Sequence, residues 1–162
     1  MFDIDKFKEV NERYGHEVGD VVLKQIGDVI TESMRAADVV IRWGGEEFLA
    51  LLNDTDESGL LAIAERARQA VEDLEIHAEG HELHKTISIG AAIFPTDTCD
   101  FGECINHADI AMYQAKVRGR NHVVRHRPEP GPAPDAADGQ GDPDEAAPPA
   151  EEKEQPRAEA QG

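Results

Sequence analysis

Large apolar side chains stop abruptly near the end of this chain. Residues 127–162 contain no Leu, Ile, Val, Met or aromatic residue, and they hold eight of the nine prolines with ten acidic residues against three basic ones. Such a segment cannot bury enough apolar surface to offset the entropy of ordering it. The sequence therefore predicts one folded domain over residues 1–126 and a disordered acidic tail over residues 127–162.

The predicted domain is strongly acidic. Removing the tail's net charge of −7 from the total of −18 leaves about −11 for residues 1–126. Nucleic acid is therefore disfavoured as a partner, because neutralising its phosphates needs a basic face. The two cysteines cannot build a disulfide framework, and no run of 18 apolar residues or signal peptide is present. These features predict a cytoplasmic protein without a membrane segment.

Hydrophobic periodicity predicts strands and helices in the order β-α-α-β-β-α-β-β-α-β, which indicates an α+β fold with an antiparallel-containing sheet covered by helices. The predicted strands are Met1–Asp5, Val39–Trp43, Phe48–Leu52, one before Glu79, one from after Gly80 through to Phe94, and His122–Arg125. The predicted helices are Lys6–Tyr14, Val18–Met34, Glu57–Leu74 and Phe101–Val117.

Acidic residues mark the first strand and the tip of the hairpin. Asp3 and Asp5 share one face of the strand, and Glu46 and Glu47 follow two glycines in the turn. If the strands are neighbours, these carboxylates converge and provide the hard oxygen ligands that Mg²⁺ prefers. Spacing alone leaves the alternative open that the turn is only solvated.

Basic and amide side chains offer candidate contacts to a phosphorylated ligand. The bases are Lys6, Lys8, Lys116, Arg118 and Arg120, which could neutralise phosphates or, at a helix end, only complement the dipole. Asn11 and Asp20 could together bind a purine edge. Arg35 and Asp38 could equally form a local surface ion pair.

Four segments in register narrow these alternatives. FDIDKFKEVNERYGHEVGD, RAADVVIRWGGEEF, TISIGAAIFP and ADIAMYQAKVRGRN occur in this order. Together they closely resemble the GGDEF family of diguanylate cyclases over residues 1–125. The resemblance implies a palm-like α+β fold with a mixed, largely antiparallel sheet. It also implies condensation of two GTP into cyclic di-GMP and two pyrophosphates, by a homodimer in which each subunit holds one GTP.

The resemblance assigns roles by position. It implies that two Mg²⁺ ions, for which Mn²⁺ can substitute, are held by Asp3, the Ile4 carbonyl and Glu46, and that Glu46 and Glu47 are catalytic. The residues implied in GTP binding are Phe7, Lys8, Asn11, Asp20, Gly44, Gly45, Lys116 and Arg120. Arg35 and Asp38 match the family's RxxD site for feedback inhibition by cyclic di-GMP, which Arg66 of a neighbouring subunit could complete.

The sequence also departs from the family pattern. The family's opening helix and loop are absent before Met1, so residues 1–126 are predicted to be an N-terminally truncated domain. This departure keeps an alternative function open, a catalytically inactive module that binds GTP or cyclic di-GMP for signalling. A nucleotidyl cyclase that makes a cyclic mononucleotide is a more distant alternative.

Overall fold

The computed structural model describes residues 1–127, so the predicted acidic tail lies outside the described residues, apart from Arg127. Strands and helices are numbered in chain order. They are β1 (Phe2–Ile4), α1 (Phe7–Tyr14), α2 (His16–Glu32), β2 (Val39–Gly44), β3 (Glu47–Leu51), α3 (Glu57–Glu72), β4 (Ile76–Ala78), β5 (His81–Leu83), β6 (Ile87–Ala91), α4 (Phe101–Val117) and β7 (Val123–Arg125). None of the helices in this part combines the length and apolar character needed to span a bilayer.

The main sheet has five strands in the order β2-β3-β1-β6-β7. The β2–β3, β3–β1 and β1–β6 pairs are antiparallel, and β6 and β7 are parallel. Strand β1 is central, so its neighbours are the strand after the Gly-Gly turn on one side and β6 on the other. The predicted α+β class with a mixed, largely antiparallel sheet is confirmed.

One strand prediction is wrong. The sequence predicted a single strand from after Gly80 to Phe94, whereas the structure has two strands, β5 and β6, in different sheets. Strand β5 pairs with β4 in a separate two-stranded sheet, closed by a turn in which Glu79 and Gly80 both have positive φ. The chain leaves this small sheet after Leu83 and joins the main sheet before β6, where the Thr86 carbonyl accepts a hydrogen bond from the Asp5 N–H at 2.9 Å.

Helices pack on both faces of the sheet, and β1 separates the two packing layers. Its even residues, Phe2 and Ile4, belong to the larger core with the apolar stripe of α2. Met1, on the opposite face, packs with Ala108 and Met112 of α4. Two residues along a strand advance about as far as four along a helix, 6 to 7 Å. The next residue on that face, Asp3, accordingly meets Lys116, one turn beyond Met112.

Helix α4 approaches the sheet most closely at Gly90 of β6. A Cβ placed there would lie 2.0 Å from the Ala108 carbonyl oxygen and 2.1 Å from the Met112 backbone nitrogen. Backbone atoms of a helix cannot turn aside as a side chain can. This glycine therefore fixes how closely α4, and with it Lys116, lies against β1.

Candidate active site

The turn between β2 and β3 is shaped by glycine and by an arginine. Gly45 has φ of +53°, a conformation that favours glycine. The Nε and Nη2 atoms of Arg42 both donate to the Gly45 carbonyl, at 3.0 and 2.8 Å. A Cβ built on Gly44 or Gly45 would meet no atom within 4 Å. The turn is thus held from one side and open on the other, where a ligand can reach its backbone.

Asp3 lies beside this turn, because β1 pairs Asp3 with Glu47 on β3 and with Ser88 on β6. It is buried, and its carboxylate forms an ion pair with Lys116 Nζ at 2.7 Å. Burial raises the pKa of Asp3, Lys116 opposes this shift, and the negative charges of Glu46 and Glu47 add to it. The acidic residues predicted to converge therefore do act on one another.

Ile4 contributes its backbone to the same place. Its N–H donates to the Glu46 carbonyl at 3.3 Å. In a strand, the N–H and C=O of one residue point to the same side, so the Ile4 carbonyl also faces the turn. The three predicted metal ligands, Asp3, Ile4 and Glu46, are brought together by the pairing of β1 with the β2–β3 hairpin.

Asp5 does not belong to this acidic group, although the sequence analysis placed it there. It is buried, and its carboxylate accepts from Thr86 Oγ1 and Ser88 Oγ at 2.7 Å and from the Asn121 N–H at 3.0 Å. These donors come from β6, from Thr86 just before it, and from the turn after α4. Asp5 is therefore occupied in tying β1 to its surroundings and is not available as a metal ligand.

The donor set fits a metal ion that is shared with a phosphorylated ligand. Among residues 1–127, no group of three or more His, Cys, Asp or Glu side chains could hold a metal by itself. Two carboxylates and one carbonyl are nevertheless the hard oxygen donors of Mg²⁺, which takes its other ligands from water and substrate phosphates. The identity and number of the metal ions stay a prediction.

The side chain of Asn11 lies over a glycine that the sequence analysis overlooked. A Cβ on Gly19 would stand 2.0 Å from Asn11 Oδ1 and 3.3 Å from Phe7 Cζ. Gly19 lies inside a helix, where glycine is unfavourable, and that position was the available signal. Asp20 follows it and is exposed. The α1–α2 pair thus places the two predicted purine contacts next to one another.

The predicted phosphate contacts differ in their surroundings. Phe7 is buried in the core, so only its backbone can face a phosphate, while Lys8 is exposed and lies 3.4 Å from Glu12. Arg120 is exposed in the turn after α4. Lys85 was not predicted from the sequence: its Nζ donates to the Lys6 carbonyl at 3.2 Å, and burial lowers its pKa.

Arg35, Asp38 and Arg66 all contact the segment at the end of α2. Asp38 accepts hydrogen bonds from the backbone N–H groups of Arg35 and Asn53, at 2.9 and 3.2 Å, so the local pair involves the backbone of Arg35. Arg66 donates from Nε and Nη2 to the Ser33 carbonyl at the end of α2, at 3.2 and 2.5 Å. Within its own chain, Arg66 of α3 thus lies against the end of α2, and its action from a neighbouring subunit stays a prediction.

Replacing Asp3 with Asn should raise the melting temperature of the metal-free protein at pH 7. The folded-state pKa of Asp3 lies above its unfolded value, so its contribution to stability is present at low pH and lost as pH rises through the folded pKa. Asn removes this loss, and Lys116, which is partly exposed, can be solvated. Thermal unfolding with a chelator at pH 4 and pH 7 tests this. A lower melting temperature of the variant at pH 7 would contradict it.

Comparisons with known proteins agree with this geometry. A family model described as "Diguanylate cyclase, GGDEF domain" matches residues 1–122. The chain is 42% identical over 124 residues to diguanylate cyclase A of Treponema denticola, an alignment that covers 76% of this chain and 33% of that relative. The chain spans about a quarter to a third of the length of the curated relatives it matches, from 27% to 34%.

Solved structures show the same fold. The GGDEF domain of YfiN (TpbB) from Pseudomonas aeruginosa superposes with a TM-score of 0.75 at 33% identity, covering 78% of this chain and 79% of that one. The GGDEF domain of DgcB from Caulobacter crescentus, solved with c-di-GMP, gives a TM-score of 0.70 at 29% identity, covering 77% and 74%. The expected palm-like α+β fold is confirmed.

Proposed function

This chain belongs to the GGDEF family of diguanylate cyclases, and on that premise we propose that its folded domain condenses two GTP molecules into cyclic di-GMP and two pyrophosphates. The observation that carries the proposal is the meeting of Asp3, Glu46, Glu47 and Lys116 beside an open glycine turn. Carboxylates and a cation in one place can serve a metal ion and a triphosphate together.

The proposed roles follow from where each side chain lies. Glu46 and Glu47, half-buried at the turn, would face the ribose hydroxyl that attacks and draw off its proton. Lys116 and Arg120 would hold the triphosphate from the α4 side, and the backbone of Phe7 and Lys8 from the start of α1. Mg²⁺ bound at Asp3, Ile4 and Glu46 would lower the hydroxyl pKa and offset the charge of the phosphates.

Two GTP-loaded domains must face each other for the product to close, because each domain offers one such site. We therefore propose a homodimer about a two-fold axis as the catalytic form. Incubating the protein with GTP and Mg²⁺ and separating the products by chromatography tests the proposed function. Cyclic di-GMP and pyrophosphate are expected. A cyclic mononucleotide, or GTP that stays bound and unconverted, would overturn the proposal.

Replacing Gly19 with Ala should weaken GTP binding without unfolding the domain. The new Cβ would displace the Asn11 side chain, which can rotate away, so the fold survives while the guanine contact is lost. We expect the dissociation constant for GTP to rise about tenfold, or about 1.4 kcal/mol. Calorimetric titration measures it, with Gly102→Ala in α4 as a matched control. Unchanged affinity in Gly19→Ala would remove Asn11 from the site.

Replacing Arg35 with Ala should abolish binding of cyclic di-GMP at a second site. We propose that Arg35, Asp38 and Arg66 form the inhibitory site, since a guanidinium fork can bind guanine edges and phosphates bidentately. Their convergence at the α2–β2 turn supports this. Calorimetry should show binding in the wild type and in the control Lys24→Ala, and GTP affinity should be unchanged in all three proteins. Binding by Arg35→Ala at wild-type strength would place the inhibitory site elsewhere.

A further inference from the structure

A concave surface lies where α4 meets β7. This groove, the β7–α4 groove, has a volume of about 720 Å³ and is lined by α4, β7 and the residues that follow β7. Every charged residue in its lining is basic: Arg118, Arg125 and Arg127, accompanied by His107 and His126. None of these five residues belongs to the candidate active site at the turn between β2 and β3. Carboxylates beside the groove partly counter these cations, since Glu57 lies 3.7 Å from Arg127 and Asp97 pairs with Arg125. A lining whose charged side chains are all basic is nevertheless unexpected on a domain whose net charge is about −11.

Arg125 is the buried cation of the groove. Its side chain is only 8% exposed, and Nη2 donates to Asp97 at 2.7 Å. Within residues 1–127, its Nε and Nη1 atoms have no hydrogen-bond partner, although a second carboxylate, Glu57, forms a longer ion pair with Nε at 3.9 Å. Buried donors without partners are costly. Nε and Nη1 together carry three N–H groups that can donate to the oxygens of a phosphate.

Two histidines extend this set of donors. The rings of His107 and His126 stack with centroids 4.0 Å apart and planes 13° apart, and His107 Nδ1 is also buried without a partner in the described part of the chain. Burial lowers the pKa of His126, and His107 and Arg125 lower it further, while Asp97 opposes them. Glu103 faces His107 from the same helix, at 3.9 Å. A bound anion would favour protonation of His126.

We propose that the β7–α4 groove is a binding site for a phosphorylated small molecule, separate from the GTP site, with Arg125 and the His107–His126 pair holding the phosphate. The apolar lining from Leu61, Ile110 and Val123 would contact the organic part of the ligand. A concave volume of this size suits a small molecule. Because a bound anion favours the protonated ring, phosphate binding and protonation of His126 strengthen one another.

Histidine NMR of the full chain tests the site with two probes, inorganic phosphate and phenyl phosphate. The pH titration of the His126 ring should move upward by about one unit when either probe saturates. His84 is a matched internal control, because its Nε2 lies 3.9 Å from Glu82, as that of His107 lies 3.9 Å from Glu103. An unchanged His126 titration, or an equal shift of His84, would overturn the proposal.

Two variants and the second probe sharpen the test. Arg125→Gln is avoided because it would leave the buried Asp97 carboxylate without its partner and could unfold the domain. The variants are therefore His107→Gln and, at an exposed position, Arg118→Gln. Each should weaken phosphate binding about tenfold at pH 6 with unchanged melting temperature. Phenyl phosphate should bind more tightly than inorganic phosphate because of the apolar lining. Equal affinities would refute the assignment to an organic phosphate, and full binding by both variants would refute the site.

Discussion

Glu46→Gln is expected to abolish formation of cyclic di-GMP, by about a thousandfold or more, while the melting temperature changes by no more than about 2 °C. The amide keeps the size of the side chain but removes the charge that binds a metal ion and accepts the proton of the attacking hydroxyl. Glu46 lies half-buried in the turn outside the hydrophobic clusters, so packing loses little.

The control for this variant is Glu79→Gln in the β4–β5 turn. This glutamate is exposed and precedes Gly80, whereas Glu46 follows Gly45, so both variants change a glutamate beside a glycine in a tight turn. It should keep full activity. Product analysis by chromatography and thermal unfolding are measured side by side on all three proteins. Turnover of Glu46→Gln near the wild-type rate would refute the catalytic assignment, whereas a large fall in its melting temperature would mean that Glu46 is structural.

Gly90→Ala is expected to destabilise the domain by about 3 kcal/mol or more, which corresponds to a fall of about 10 °C in melting temperature. The added methyl group would clash with backbone atoms of Ala108 and Met112, at 2.0 and 2.1 Å. Relief requires α4 to move away from β6. Because α4 carries Lys116, the Lys116–Asp3 ion pair should open as well, and GTP affinity should fall with stability.

Gly44→Ala provides the matched comparison for Gly90→Ala. A Cβ at Gly44 meets no atom within 4 Å, and its φ is not positive, so stability should be unchanged. In the proposed site this space belongs to the nucleotide, so GTP binding should be lost all the same. If Gly90→Ala melts at the same temperature as the wild type, α4 does not approach β6 as closely as these distances require.

Much of the fold follows from local sequence signals. Helix α4 spans Phe101–Val117 as predicted, and Asp100 and Asp56 accept hydrogen bonds from the first turns of α4 and α3. The hairpin around the Gly-Gly turn lies within about one residue of its predicted bounds. Amphipathic periodicity and capping act over a few residues, so a single chain segment carries enough information for them.

The errors and omissions depend on contacts between distant segments. Nothing within His84–Thr86 indicates that the chain changes sheets there, because the change depends on pairing with β1. Asp5 and Asp3 look alike in sequence, and only donors some 80 to 116 residues away distinguish them. The packing of α3 on α2 that brings Arg66 to Ser33 likewise joins residues 33 positions apart.

The packing of β1 against α4 limits which insertions and deletions the domain can accept. Met1 and Asp3 meet Met112 and Lys116 because two residues of strand match four of helix. Substitution of one partner disturbs one contact. Insertion or deletion of a single residue in either segment shifts every later contact at once, and in β1 it also turns the apolar side chains to the wrong face. We therefore expect the domain to tolerate changes of length only in the loops between these elements.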